Sequence, residues 1–156
     1  MFHNILVAVD GSPHADQALT DAIDLAESEH SRLTLITGVP QVPWPVYLST
    51  GSMIPNLIAD ARAESEAILR RARDRVPQDL SVTTFLTDQP IGPAVIRQIK
   101  AGHHDLVMMG SRGRGAVRSA VLGSVSQFVL HHSPVPVLVR HAEPSSKAEA
   151  RIPAPG

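Results

Sequence analysis

Hydrophobic positions along this chain follow two patterns that take turns. Short apolar runs of strand length alternate with stretches in which apolar residues recur at helical spacing, and that alternation is how βαβ units read in sequence. Ile5-Leu6-Val7-Ala8-Val9 and Leu106-Val107-Met108-Met109-Gly110 are apolar without interruption, as strands covered on both faces must be. Leu33 to Val39 reads as a second strand. Ser81 to Leu86 alternates weakly and carries Thr83 and Thr84, which suits a partly exposed edge. Pro136 to Arg140 closes the sheet, and its proline, which cannot donate to a ladder, also points to an edge.

Helices fill the intervals. Asp10-Gly11-Ser12-Pro13 ends the first strand as a turn, with Ser12 as N-cap and Pro13 as the first helical residue. Ala15, Ala18, Leu19, Ala22, Ile23 and Ala26 then carry a helix to about Glu29. Pro40, Pro43 and Pro45 predict irregular chain up to about Ser52, and Trp44 and Tyr47 fall there, to form a satellite cluster or a lid. Met53 to Arg75 reads as a long amphipathic helix with a charged, solvated run from Arg70 to Arg75. Pro90 opens another helix with Val95, Ile96 and Ile99 inward and Gly102 as its C′ residue. A last helix spans about Ser124 to His132.

Core-like first and fourth strands with edge-like third and fifth strands define an α/β fold: a single-domain, three-layer α/β/α arrangement around a five-stranded parallel sheet of order 3-2-1-4-5. In that order the connectivity reverses between strands one and four, and ligands bind beyond the carboxyl ends of the strands at such a point. Asp10 and Gly110 stand there. The domain is expected to span residues 1–141. Residues 142–156, made mostly of Pro, Ser, Ala and charge, are expected to be a disordered tail.

Composition narrows the chemistry. With 156 residues, the length suits one domain. The absence of cysteine removes disulfide scaffolds, thiol catalysis and thiolate metal sites. A formal charge of −1 gives no general attraction to nucleic acid or anionic lipid, no apolar run approaches a membrane span, and the N-terminus lacks signal-peptide character. The expectation is a cytoplasmic protein with no nucleic-acid or membrane partner.

The segment from Gly110 to Ser124 concentrates four glycines, at 110, 113, 115 and 123, and three arginines between a buried strand and a helix. Glycine lets main-chain amides approach an anion, and a helix N-terminus adds unpaired N–H groups and a positive dipole, so the segment is a candidate phosphate cradle. Ser124 and Ser126 would add hydroxyls, and Arg112, Arg114 and Arg118 would reach outer phosphates. Ser124-x-x-Gln127 also has capping-box spacing, so a purely structural role stays open. The P-loop, the dinucleotide fingerprint and the nucleophile elbow are all missing.

Gly110-x2-Gly113-x9-Gly123-Ser124, flanked by Val107-Met108-Met109 and Pro134 to Val139, resembles the nucleotide-binding signature of the universal stress protein family. Ile5 to Ser12 matches that family's first strand and turn. The resemblance implies the ATP-binding branch. Ala8, Val9 and Asp10 would then line base and ribose, Val39 would offer backbone hydrogen bonds to adenine, and Met109 and Gly110 would continue the ribose wall. Gly113, Gly123, Ser124, Val125 and Ser126 would hold the phosphates of ATP, ADP or AMP, with Arg112 beside them. Asp10 is the one carboxylate placed at the pocket, so it would hold Mg²⁺ through the nucleotide or meet a ribose hydroxyl, and no second acid or base can be assigned for hydrolysis. The expectation is a stress-response regulator or conformational switch with little or no hydrolysis and no catalytic residues. Adenylyl transfer, slow ATP hydrolysis, or a dimeric scaffold with a vestigial site are the alternatives. A homodimer through the last strand would cover its open edge. The pairs His103-His104 and His131-His132 lack a ligand set and read as surface or capping histidines, with the His132 ring partly buried along the stripe of Val125, Phe128 and Val129.

Overall fold

The structure is a computed structural model that describes residues 1–42, 44–50, 54–113 and 122–142. Its elements run β1 (Asn4–Ala8), α1 (Pro13–Glu29), β2 (Arg32–Gly38), α2 (Trp44–Thr50), α3 (Ile54–Arg75), β3 (Val82–Thr87), α4 (Ile91–Ala101), β4 (Leu106–Gly110), α5 (Ser124–His132) and β5 (Val137–Arg140). Five parallel strands form one sheet in the order β3-β2-β1-β4-β5, as the edge and core patterns predict.

Both faces are packed, which is why the central strands are apolar throughout. Ile5 and Val7 of β1 point into a core shared with Leu19 and Ala22 of α1 and Ile68 and Ala72 of α3. Leu6 points to the opposite face and meets Val95 and Ile99 of α4 and Val129 of α5. Side chains alternate across a strand, so one continuous run feeds two cores. The outer strands differ: β3 alternates between half-buried and exposed positions, and Leu138 of β5 is 40% exposed.

Four local expectations are corrected. Residues 40–52 are not irregular throughout, because α2 occupies Trp44–Thr50; Pro45 sits in its first turn, where a missing N–H costs nothing. Gly102 is the C-cap of α4 with φ −93°, and the left-handed residue is His103 with φ 52°. No capping box forms on α5, since Gly123 is the N-cap and the Gln127 side chain instead donates from Nε2 to the Leu122 carbonyl at 3.0 Å. His132 is exposed, stacking on the Phe128 ring at 4.1 Å while its Nδ1 meets the Phe128 carbonyl.

The histidine pairs also depart from expectation. His104 is buried, and Gly102 makes the room: a Cβ there would stand 2.3 Å from the His104 Nε2. The rings of His131 and His132 are in edge contact at 5.2 Å. Residues 143–156, Arg114, Arg118 and the side chains of Trp44 and Tyr47 lie outside the described residues, and with them the tail, the two outer arginine contacts and the aromatic cluster.

Candidate nucleotide site at the switch point

Where β1 and β4 part company, three turns are locked together. Asp10 Oδ1 accepts from the Ser12 amide at 2.8 Å, which folds the turn after β1 back on itself. Gly11, at the apex, has φ 79°, a conformation that costs other residues about 1 to 2 kcal/mol. Ser12 Oγ accepts from the Ala15 amide at 3.2 Å, the N-cap its sequence position predicts, and donates to the Arg112 carbonyl at 3.3 Å. The first-strand turn is therefore tied to the loop after β4.

That loop is anchored from below and behind. Ser111 is fully buried; its amide donates to the Arg140 carbonyl, and its carbonyl accepts from the Gly123 amide at 2.6 Å. Ser126, also buried, donates from Oγ to the Gly110 carbonyl at 2.8 Å, which seats the start of α5 on the end of β4. Gln127 makes the first bond of the α5 ladder, to Gly123, so the amides of Ser124, Val125 and Ser126 precede any partner within the helix.

The glycines of the loop have different jobs. A Cβ on Gly110 would lie 2.6 Å from the Ala15 nitrogen and 2.7 Å from the His14 carbonyl carbon, so Gly110 lets α1 start directly on β4. A Cβ on Gly113 would stand 2.8 Å from Asp10 Oδ2, so this glycine allows the loop to lie against the carboxylate. At Gly123 a Cβ would meet nothing closer than 3.4 Å, and its φ of −70° suits any residue. Neither packing nor backbone strain explains the glycine at 123.

A cleft of about 580 Å³ opens above these turns. Its lining includes Ala8, Val9, Asp10, Val39, Met109, Gly110, Arg112, Gly113, Val125 and Ser126, all singled out from sequence; Gly123 and Ser124 stand just outside it. Sequence reasoning missed Thr37, Gly38, Pro40, Gln41, Gln89, Pro90 and Ile91, which complete the wall beside β2 and α4, and Ala15 of α1. Proline at 40 and 90 and the buried Thr37 carry no local mark of a site, because only the pairing of β2 with β3 brings them together. The Val39 amide donates to the Thr87 carbonyl at 2.9 Å, which extends that pairing, and the Val39 carbonyl accepts from the Gln41 side chain at 3.3 Å. One end of the cleft is thus apolar, and the other combines Asp10, Arg112 and the first turn of α5.

His14 was also passed over, although it holds the loop from α1. Its Nδ1 lies 2.9 Å from Ser111 Oγ and accepts from the Ala142 amide at 2.9 Å. An Nδ1 that accepts a main-chain hydrogen is unprotonated, so the ring is neutral. Burial pushes its pKa below the ordinary value, helped by the charges of Arg112 and His141. The partners of His14 are about a hundred residues away in sequence, so no local signal could have marked it.

Asp10 by itself makes a poor metal site. One of its oxygens already serves Ser12, and among the described residues no three His, Cys, Asp or Glu side chains stand close enough to hold an ion. Among the described residues, too, no helix is long and apolar enough to cross a membrane.

Fold and cleft together define a doubly wound α/β domain with a mixed apolar and anion-friendly pocket at the switch point. Residues 1–141 match the model of the universal stress protein family. The chain belongs to that family. It is 35% identical over 140 residues to the Thermus aquaticus "Universal stress protein in QAH/OAS sulfhydrylase 3'region", covering 89% of this chain and 98% of that one. Among solved structures, the universal stress protein UspA from Lactobacillus plantarum superposes with a TM-score of 0.76 at 23% identity, over 88% of this chain and 97% of its own. A universal stress protein family member from Arabidopsis thaliana, solved with AMP bound, superposes with a TM-score of 0.68 at 15% identity, over 94% and 98% of the two chains.

Proposed function

We propose that this protein binds an adenine nucleotide in the cleft at the switch point and acts as a nucleotide-dependent switch in the stress response. The observation that carries the reading is the arrangement of the cleft: an apolar slot between Val9, Val39, Ile91 and Met109 leads to a polar end at Gly113 and the first turn of α5. A planar base gains by leaving water for the slot, and a phosphate gains from amides that the helix leaves unpaired. A volume of about 580 Å³ lies within the range of small-ligand pockets. The AMP held by the Arabidopsis relative supports the same choice of ligand.

In this reading the Val39 carbonyl accepts from the exocyclic amine of adenine, and Ala8, Val9, Asp10, Met109 and Gly110 flank the base and ribose. Gly113, Gly123, Ser124, Val125 and Ser126 receive the phosphates, with Arg112 alongside. Mg²⁺ enters only with the nucleotide. Among the described residues Asp10 is the only carboxylate lining the cleft, so in this reading any turnover is slow and the occupied state itself is the signal. The protein works in the cytoplasm as a homodimer formed through β5, whose outer edge and exposed Leu138 are then covered.

Purified protein is denatured and the released small molecules identified, in parallel with Gly123→Val. The expected result is an adenine nucleotide from the wild type and a content at least about tenfold lower in the variant, because the added side chain fills the approach to the α5 amides. Equal content in the two preparations refutes the phosphate site. A monomeric mass at micromolar protein refutes the dimer.

A further inference from the structure

At the apolar end of the cleft, one exposed side chain is held in a single orientation. Gln41 follows β2 and lines the cleft, and its Nε2 donates to the Asp88 carbonyl at 2.6 Å and to the Val39 carbonyl at 3.3 Å. Both neighbours are acceptors, so only the NH₂ end of the carboxamide can face them; turning the group over would set three oxygens against one another. The assignment of nitrogen and oxygen is therefore fixed by chemistry. Both amide hydrogens are used, and among the described residues nothing donates to Oε1.

The acceptors that hold Gln41 are themselves held. The Asp88 carboxylate pairs with Arg62 of α3 at 2.6 Å, and Arg62 also pairs with Glu66 at 3.4 Å. Val39 is fixed by the hydrogen bond from its amide to the Thr87 carbonyl. Gln89, on the same rim, is different: its amide donates to Thr87 Oγ1, but nothing among the described residues orients its carboxamide.

We propose that Gln41 is a specificity-determining residue, whose Oε1 accepts a hydrogen from the exocyclic amine of a 6-aminopurine and rejects a purine with a carbonyl at that place. This rests on the nucleotide reading above and adds to it a side chain that reads the base edge. An amine has hydrogens to give to Oε1 and to the Val39 carbonyl. A 6-oxo group would bring a third oxygen towards two others and offer neither a hydrogen.

The test measures binding of ATP and of ITP, in which a carbonyl replaces the 6-amine and N1 carries a hydrogen, by titration calorimetry on nucleotide-free wild type and on Gln41→Met. The variant keeps the length of the side chain and removes its acceptor. Thermal melting checks that the exposed substitution leaves the fold intact. Wild type is expected to favour ATP by about tenfold or more, and Gln41→Met to narrow that ratio at least about threefold, with weaker ATP binding and unchanged or stronger ITP binding. A ratio in the variant that stays at the wild-type value overturns the role of Gln41. So does a wild type that binds both nucleotides equally, although the phosphate site then stands. Binding of neither nucleotide overturns the underlying reading and this proposal together.

Discussion

The two ends of the sheet spend their polar groups in different ways. At the amino ends of the strands, side chains close the surface. Asp105 accepts from the amides of His3 at 2.8 Å and Asn4 at 3.0 Å, Asn4 donates to the Gly102 carbonyl at 2.6 Å, and Glu29 accepts from the Phe2 amide at 2.9 Å. At the carboxyl ends, Asp10, Ser12, Ser126 and Gln41 also bond to the backbone, but they hold turns around an open cleft. The closed end ties the first residues and the turns to the sheet, whereas the open end stiffens the walls of a cleft. Substitutions at the first should lower stability, and those at the second should lower occupancy.

Gly110 is where that division breaks down, so it carries the largest expected effect. Gly110→Val would drive a side chain into the backbone of His14 and Ala15, and urea unfolding should show a loss of at least about 3 kcal/mol. A loss under about 1 kcal/mol would mean that α1 can ride up from β4 at little expense.

At the closed end, Asp105→Ala removes the acceptor of two main-chain amides and should lower stability by about 1 to 3 kcal/mol in the same measurement. Burial alone would raise the Asp105 pKa, but the His3, Asn4 and Asp105 amides and the His3 charge together outweigh it and hold the carboxyl below its ordinary value. A carboxylate with a depressed folded pKa stabilises above its unfolded pKa and loses that contribution as pH falls. The penalty of Asp105→Ala should therefore shrink in acid.

At the open end the sign of the contrast is reversed. Gly113→Ala places a methyl 2.8 Å from Asp10 Oδ2 and should displace the carboxylate, with a stability change within about 1 kcal/mol but a clear fall in nucleotide content. Gly123→Ala, whose Cβ meets ordinary contacts, should leave the melting temperature unchanged.

The smallest effect concerns pH. His104 is buried, among the described residues neither ring nitrogen has a hydrogen-bond partner, and burial lowers its pKa over the opposing pull of the Asn4 backbone and the Asp105 charge. His14 is lowered as well. Both are groups that fold neutral, so their contribution is complete above the ordinary value of 6.5 and is lost as pH falls below it. Unfolding curves from pH 8 to 5 should show the decline, and His104→Leu, which cannot take up a proton, should make it shallower. An identical slope in the variant would remove His104 from the account.

Much of this was visible in one dimension. Uninterrupted apolar runs at Ile5–Val9 and Leu106–Met109 revealed buried central strands, because a strand with two covered faces has no polar positions to show. Ser12 and Pro13 announced the start of α1 because capping acts within a few residues. Those were local signals with local physics. The family signature likewise pointed to ten of the residues that line the cleft.

What stayed hidden depended on partners far along the chain. A proline-dense stretch harboured α2, since Pro45 fell in its first turn. His104 became a core residue only because Gly102 left space beside it, and the orientation of Gln41 was settled by a carbonyl 47 residues away. Periodicity, caps and turn residues determined the order of elements and the location of the switch point, because these act over one helical turn or one strand. The shape of the cleft, the neutral His14 beneath its loop and the acceptor at its rim were decided by folding alone, because each requires atoms from separate elements to meet within about 3 Å.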